Sequence, residues 1–318
     1  MYNWNKVYVG YCDGSSFSSR KIEPVQVTTG ADESGENGVD MPGKFVYFQG
    51  HYILDAVYDM FLVQHGMMQA REIVISGSSA GGLAVINHLD YLNNKITKRS
   101  KTDPIIVGII DGGYFMDVPS LGGTNLLSQV YKSIYLQQDV VVNHKCMKFY
   151  ENRLPLGQGW KCLMPQYSLK FIETPLFLVQ SFVDAYQVKE VMDLSCIPGS
   201  EKQGKCTEND YKYLKTFRSR MMTSIQDGIP DYSGYWLVSC TLHTITNHDH
   251  SWIELTGKRR TLRDTVLGWY ETYVNSTRGG EKVKGKEWVE VDGIFDPESS
   301  CHVADTEEAE DEDDNEGE

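Results

Sequence analysis

The sequence predicts an α/β fold with a mostly parallel sheet and helices on both faces. Three observations carry that reading. Short apolar runs of strand length alternate with segments of helical period. A small-residue turn, Gly77-Ser78-Ser79-Ala80-Gly81, stands between one such run and one such helix. Asp184 and His243 then follow two later apolar runs, in that order.

In chain order, Lys6 to Tyr11 (KVYVGY) alternates and is rich in Val and Tyr, so it is expected to be a strand. Residues 30–43 (GADESGENGVDMPG) are polar and Gly-rich, a surface excursion. Lys44 to Phe48 is a second extended candidate. From Gly50 the pattern turns helical, with Leu54, Val57 and Phe61 on one face and Gly66 as the stop. Glu72 to Ile75 is a short strand, and from Ala80 Leu83, Ile86 and Leu89 recur at helical spacing. Ile105 to Ile110 (IIVGII) is a buried strand that runs into Asp111-Gly112-Gly113. Pro175 to Gln180 and Tyr235 to Ser239 are further strands, and a closing helix spans Leu262 to Val274. The segments 116–170 and 189–230 give no clear placement, although Leu121 to Tyr135 is apolar enough to line a tunnel.

Composition narrows the function classes. Of the 318 residues 41% are hydrophobic and 11% aromatic, enough for a large core. The net charge is −14, but ten acids lie between Asp305 and Glu318; without them the body is only −4. That excludes a basic nucleic-acid surface and a polybasic membrane anchor. The best apolar run is Ile105 to Ile110, far short of the roughly 20 residues that span a bilayer. The opening MYNWNKVYVG has neither the apolar stretch nor the cleavage site of a signal peptide. The expected organisation is one domain over 1–301 and a solvated, disordered acidic tail over 302–318. A monomer is expected.

The chemistry rests on the turn. Gly77 to Gly81 matches G-x-S-x-G, with a strand entering and a helix leaving, the context in which this motif is the nucleophile elbow of an α/β-hydrolase-like sheet. Small residues flank the serine because the turn is tight. Ser79 would present its hydroxyl at a helix N-terminus, where the dipole and the Ala80 N–H can stabilise an oxyanion. The bland alternative is an ordinary Gly/Ser-rich turn. An activated serine needs a base, and the base a carboxylate to fix its tautomer. The chain order Ser79, Asp184, His243 supplies both. Asp111, at a strand end, is a rival acid, with a turn-capping role as the simpler reading. His248-Asp249-His250 could touch a metal, but no further ligand stands at suitable spacing, so no metal site is assigned. His88 reads as a surface or packing residue, and His51, His65, His144 and His302 have no motif context. The chemistry needs no cofactor.

These residues resemble the pectin acetylesterase family, which includes Notum-like carboxylesterases. The matching stretches are NWNKVYVGYCDGSSFSS (3–19), GSSAGGLAVINHLDYL (77–92), IIDGGYF (109–115), MPQY with FIETPLFLVQSFVDAYQV (164–188) and VSCTLHTIT (238–246). The resemblance implies Ser79 as nucleophile, Asp184 as acid and His243 as base. It implies secretion, disulfides and glycosylation, and hydrolysis of acetyl esters on wall polysaccharides or of a fatty acyl ester on a protein. It pairs Cys146 with Cys162 and Cys196 with Cys206; Cys240 with Cys301 is a third candidate pair. Asn275-Ser276-Thr277 is a glycosylation sequon if the chain is secreted.

At the front the sequence departs from the family. No Gly-rich oxyanion loop and no Trp-Cys stretch occurs before Asp13. The expectation is therefore a chain that lacks a signal peptide, the first strands, half of the oxyanion hole and the partner of Cys12. The rival from another class is a catalytically impaired relative that binds polysaccharide or a protein partner.

Overall fold

The computed structural model describes residues 3–11, 13–28, 40–153, 155–196, 205–254, 256–257, 260–280 and 289–291. Cys12, Cys301, His302 and the acidic segment 302–318 lie outside them. A first hairpin pairs β1 (Val25–Thr28) with β2 (Asp40–Val46) antiparallel. The chain then runs α1 (Gly50–Gln64), β3 (Glu72–Ser78), α2 (Ala80–Arg99) and β4 (Ile105–Asp111). Helices α3 (Leu126–Gln137), α4 (His144–Glu151) and α5 (Pro165–Ser168) precede β5 (Leu176–Ser181). Next come α6 (Glu208–Gly228), β6 (Gly234–Val238) and α7 (Asp249–Glu254). A two-residue hairpin, β7 (Thr256–Gly257) with β8 (Arg260–Thr261), leads into α8 (Leu262–Gly279) and finally β9 (Val289–Val291).

Five of these strands form one sheet in the order β3-β4-β5-β6-β9, all parallel. Alternation along the strands divides the core into two layers. Ile106, Ile110, Leu178 and Leu237 face a layer shared with Leu62 of α1, Leu83 and Leu89 of α2 and Phe217 of α6. Val107, Ile109, Phe177, Val179 and Trp236 face the other, packed by Val266 and Trp269 of α8. Both faces are covered, which is why the central strands read as unbroken apolar runs. Among the described residues no helix is long and apolar enough to cross a membrane.

Three expectations need correction. Residues 6–11 are not a strand: Val7 is 62% and Tyr8 93% exposed, and no described strand pairs with them. Alternation describes side-chain direction, but a strand also needs a hydrogen-bonding neighbour. Helix α1 buries Leu54, Tyr58 and Leu62, whereas Val57 and Phe61 sit at the margin of the face. The polar stretch expected as a loop over 30–43 contributes its last residues to β2. Gly66 does end the α1 region, with φ +76° in the left-handed conformation that glycine adopts without penalty.

Candidate active site

The parallel sheet brings its carboxyl-terminal strand ends side by side, where α/β folds place their sites. Ser79 follows β3, Asp111 ends β4, Asp184 stands three residues beyond β5, and His243 lies five residues beyond β6. The ends of β5 and β6 are lashed together: Phe182 N–H donates to Val238 O at 2.8 Å, and the Ser181 hydroxyl donates to Cys240 O. Residues 105 apart in sequence, Ser79 and Asp184, are thereby brought to one imidazole.

His243 Nε2 lies 2.6 Å from Ser79 Oγ, and His243 Nδ1 lies 3.0 and 2.9 Å from the two Asp184 carboxylate oxygens. Asp184 is fully buried, while the His243 side chain keeps 25% exposure. The buried carboxylate is satisfied on both oxygens. Gln180 Nε2 donates to Oδ2 and the Gln187 N–H to Oδ1, both at 3.0 Å. Those two glutamines also accept from the Tyr114 and Met116 N–H groups, at 3.0 and 2.9 Å. A network satisfied at each member fixes one geometry; an unpaired group inside it would carry a heavy desolvation cost.

The turn around Ser79 is strained. Its φ of +54° with ψ −121° is a conformation that non-glycine residues avoid, at a cost of about 1–3 kcal/mol. The Ser79 N–H donates to Asp111 O at 2.8 Å and its carbonyl accepts from Leu83 at 3.0 Å, which hold it there. The small-residue requirement falls differently from the motif. A Cβ on Gly77 would meet Gly81 O at 2.3 Å, whereas one on Gly81 would meet nothing within 4 Å. The crowded partner is Gly82, which packs against Gly77 O, Asp111 O and Gly113. Ala80 is the first residue of α2, so its N–H has no partner within the helix.

Asp111 does not hydrogen-bond His243. Its carboxylate accepts the N–H groups of Ile245 and Thr246, at 3.0 and 2.8 Å, and the Thr246 hydroxyl at 2.7 Å. Burial pushes this carboxyl above the ordinary range, against the pull of those hydrogen bonds. It caps the loop that carries His243 rather than the turn that follows its own strand. Gly112, at φ +58°, lies under the same loop: a Cβ there would strike His243 O at 2.2 Å.

An aromatic wall flanks the imidazole. The ring centres of Tyr186 and Phe115 lie 5.1 and 6.1 Å from His243 and 5.8 Å from each other. Burial raises the Tyr186 hydroxyl pKa. Sequence reasoning missed this pair, and it missed Gln180 and Gln187. A polar side chain closing the otherwise apolar run PLFLVQ was the available signal for Gln180.

Of the other candidate positions, His88 is buried, with Nε2 3.2 Å from Ser18 Oγ and 3.1 Å from Ser16 O, so it is a packing residue. His248, Asp249 and His250 are exposed around the start of α7, and among the described residues no three His, Cys, Asp or Glu side chains cluster as metal ligands. Disulfides join Cys146 to Cys162 and Cys196 to Cys206. Cys240 is also disulfide-bonded; its candidate partner Cys301 is outside the described residues. Asn275 is exposed on α8.

The family model described as pectinacetylesterase matches residues 1–290. Pectin acetylesterase 5 of Arabidopsis thaliana is 32% identical over 85% of this chain and 60% of its own length. A palmitoleoyl-protein carboxylesterase NOTUM of Schmidtea mediterranea is 25% identical over 91% of this chain and 49% of its own. The chain thus spans about half to three-fifths of the length of these curated relatives. The crystal structure of the Wnt deacylase Notum from Drosophila superposes with a TM-score of 0.65 at 20% identity, covering 88% of this chain and 70% of that one. At that identity the likeness is one of fold.

Proposed function

This chain belongs to the pectin acetylesterase family, and from that premise we propose that it is a serine carboxylic ester hydrolase whose substrate is an O-acetyl ester on a polysaccharide. The observation that carries the proposal is the unbroken line Ser79 Oγ, His243 imidazole, Asp184 carboxylate, at 2.6 and 2.9 Å. Ser79 Oγ adds to the ester carbonyl carbon while His243 Nε2 takes its proton. Asp184 holds the Nδ1–H tautomer and stabilises the imidazolium, and the Ala80 N–H donates to the developing oxyanion. The tetrahedral adduct collapses as His243 returns the proton to the departing sugar alkoxide, leaving acetyl-Ser79. Water, deprotonated by His243, then attacks the acyl carbon, and acetate leaves as Ser79 recovers its proton.

Two disulfides fit an oxidising compartment, which supports an extracellular or cell-wall location and glycosylation at the exposed Asn275. The second reading is deacylation of a longer acyl ester on a protein, the activity named for the NOTUM relatives. The aromatic wall of Phe115 and Tyr186 beside His243 favours it, since such rings suit a hydrocarbon chain. Comparing p-nitrophenyl acetate with p-nitrophenyl octanoate separates the two. A higher kcat/KM for acetate is expected; a preference for octanoate would replace the acetylesterase reading with the deacylase one.

A further inference from the structure

The body of this acidic chain carries a basic region that runs from α3 through α5. Residues 131–170 hold six Lys and Arg against two Asp and Glu, an excess of four positive charges in a protein of net charge −14. The fold gathers four of these cations onto aromatic rings around α4 and the turn at Gly159–Leu163. Lys161 Nζ lies 5.3 Å from the Tyr167 ring centre and 5.5 Å from that of Tyr150. Lys170 Nζ lies 4.8 Å from Phe149 and 5.3 Å from Phe171, the Arg153 guanidinium 3.7 Å from Phe149, and Lys132 Nζ 4.8 Å from Trp160.

The kind of partner matters more than the number of cations. Lys132, Arg153 and Lys170 are exposed and Lys161 is half-buried, and none of the four forms an ion pair with a carboxylate among the described residues. A ring face holds a cation in place without neutralising it, so these heads keep their full charge towards solvent. Other cations are spent differently: Lys95 and Arg99 pair with Asp55 and Asp59, and Lys145, on α4 itself, pairs with Glu173. The platform is rigid. The Cys146–Cys162 disulfide ties α4 to the turn, over a small core of Val142, Cys146, Cys162 and Leu163. It also adjoins the site: the Tyr167 hydroxyl donates to Asp117 at 2.8 Å, two residues beyond the Phe115 ring that flanks His243. A cavity of about 510 Å³ lined in part by Asp117, Gln166 and Arg220 lies at that junction.

We propose that this basic aromatic platform is a docking surface for a carboxylate-bearing polysaccharide chain, holding the uronate backbone of a polymer whose esters are presented to Ser79. The proposal rests on the polysaccharide reading above. Several spaced, uncompensated cations suit a polymer with a carboxylate on successive sugars, and the half-buried rings between them offer a surface for sugar C–H faces. A neutral glycan would leave the cations unused, and a small ester would reach only the serine.

The test measures binding of unacetylated polygalacturonate to the intact wild-type protein and to a Lys161→Gln/Lys170→Gln variant, with neutral galactan and poly-L-glutamate as the other arms. Hydrolysis of p-nitrophenyl acetate reads the serine site separately, so a failed esterase reading and a failed docking surface are told apart. Expected are salt-sensitive binding of polygalacturonate, no binding of galactan, weaker binding of poly-L-glutamate, and at least a tenfold weaker polygalacturonate affinity in the variant. Its melting temperature and p-nitrophenyl acetate turnover should stay at wild-type values. Binding unchanged by the two substitutions would overturn the proposal. Poly-L-glutamate binding as tight as polygalacturonate would overturn it in favour of an acidic-peptide surface.

Discussion

Asp111 and Thr246 are joined by two hydrogen bonds, the Thr246 N–H donating at 2.8 Å and its hydroxyl at 2.7 Å to the same carboxylate oxygen. Through its own carbonyl Asp111 also accepts the Ser79 N–H, at 2.8 Å. One residue therefore sets the spacing between the serine turn and the histidine loop. Replacing Asp111 with Ala leaves the Ile245 and Thr246 N–H groups without this acceptor, at about 1–3 kcal/mol each. A shifted His243 loop should lower kcat by about 10²-fold with little change in KM. Steady-state kinetics on p-nitrophenyl acetate, with urea unfolding alongside, check both parts. A variant as destabilised as expected but fully active would remove the positioning role.

His88 links pH to stability. Burial among Ser16, Ser18 and His51 pushes its pKa down from 6.5 to about 3. Because the folded value lies below the unfolded one, the unfolded chain binds the extra proton between those limits. The stability is fully present above pH 6.5 and is lost as pH falls towards 3, at about 1.4 kcal/mol per unit. Between pH 7 and pH 5 this group should cost about 2 kcal/mol of unfolding free energy. A His88→Gln variant should show a correspondingly shallower pH dependence in urea titrations at the two pH values, whatever its absolute stability.

The Cys146–Cys162 disulfide spans 16 residues, and cross-linking a loop of that size is worth about 3 kcal/mol. A Cys146→Ser/Cys162→Ser variant should lose about that much in urea unfolding. Its p-nitrophenyl acetate turnover below the transition should stay near wild type, since neither cysteine touches the serine site.

Much of the site was legible because strands buried on both faces advertise themselves as apolar runs, and a parallel sheet gathers their ends. EIVIS, IIVGII, PLFLVQ and YWLVS became β3 to β6 with boundaries shifted by one to three residues. The elbow was legible because strand, small residues and helix follow one another in sequence. What escaped was what depends on distant partners. Residues 6–11 alternate like a strand, but alternation does not reveal whether a neighbour exists. Helix α3 does set Leu127, Tyr131, Ile134 and Tyr135 at helical spacing, but the small core that the last three pack against, around Cys146 and Cys162, is built from later segments that no local pattern connects to them. The role of Asp111 depends on a loop 134 residues away. The aromatic pair at His243 comes from two segments, one after β4 and one after β5, that no local pattern connects.

The most direct test of Ser79 as the nucleophile is labelling of the intact protein with a fluorophosphonate, followed by mass spectrometry of the peptide that contains Ser79. A phosphonyl adduct on Ser79, absent in Ser79→Ala and strongly reduced in His243→Ala, is the expected result. A folded, reactive protein that carries its adduct on another residue, or labels as fast without His243, would contradict the assignment.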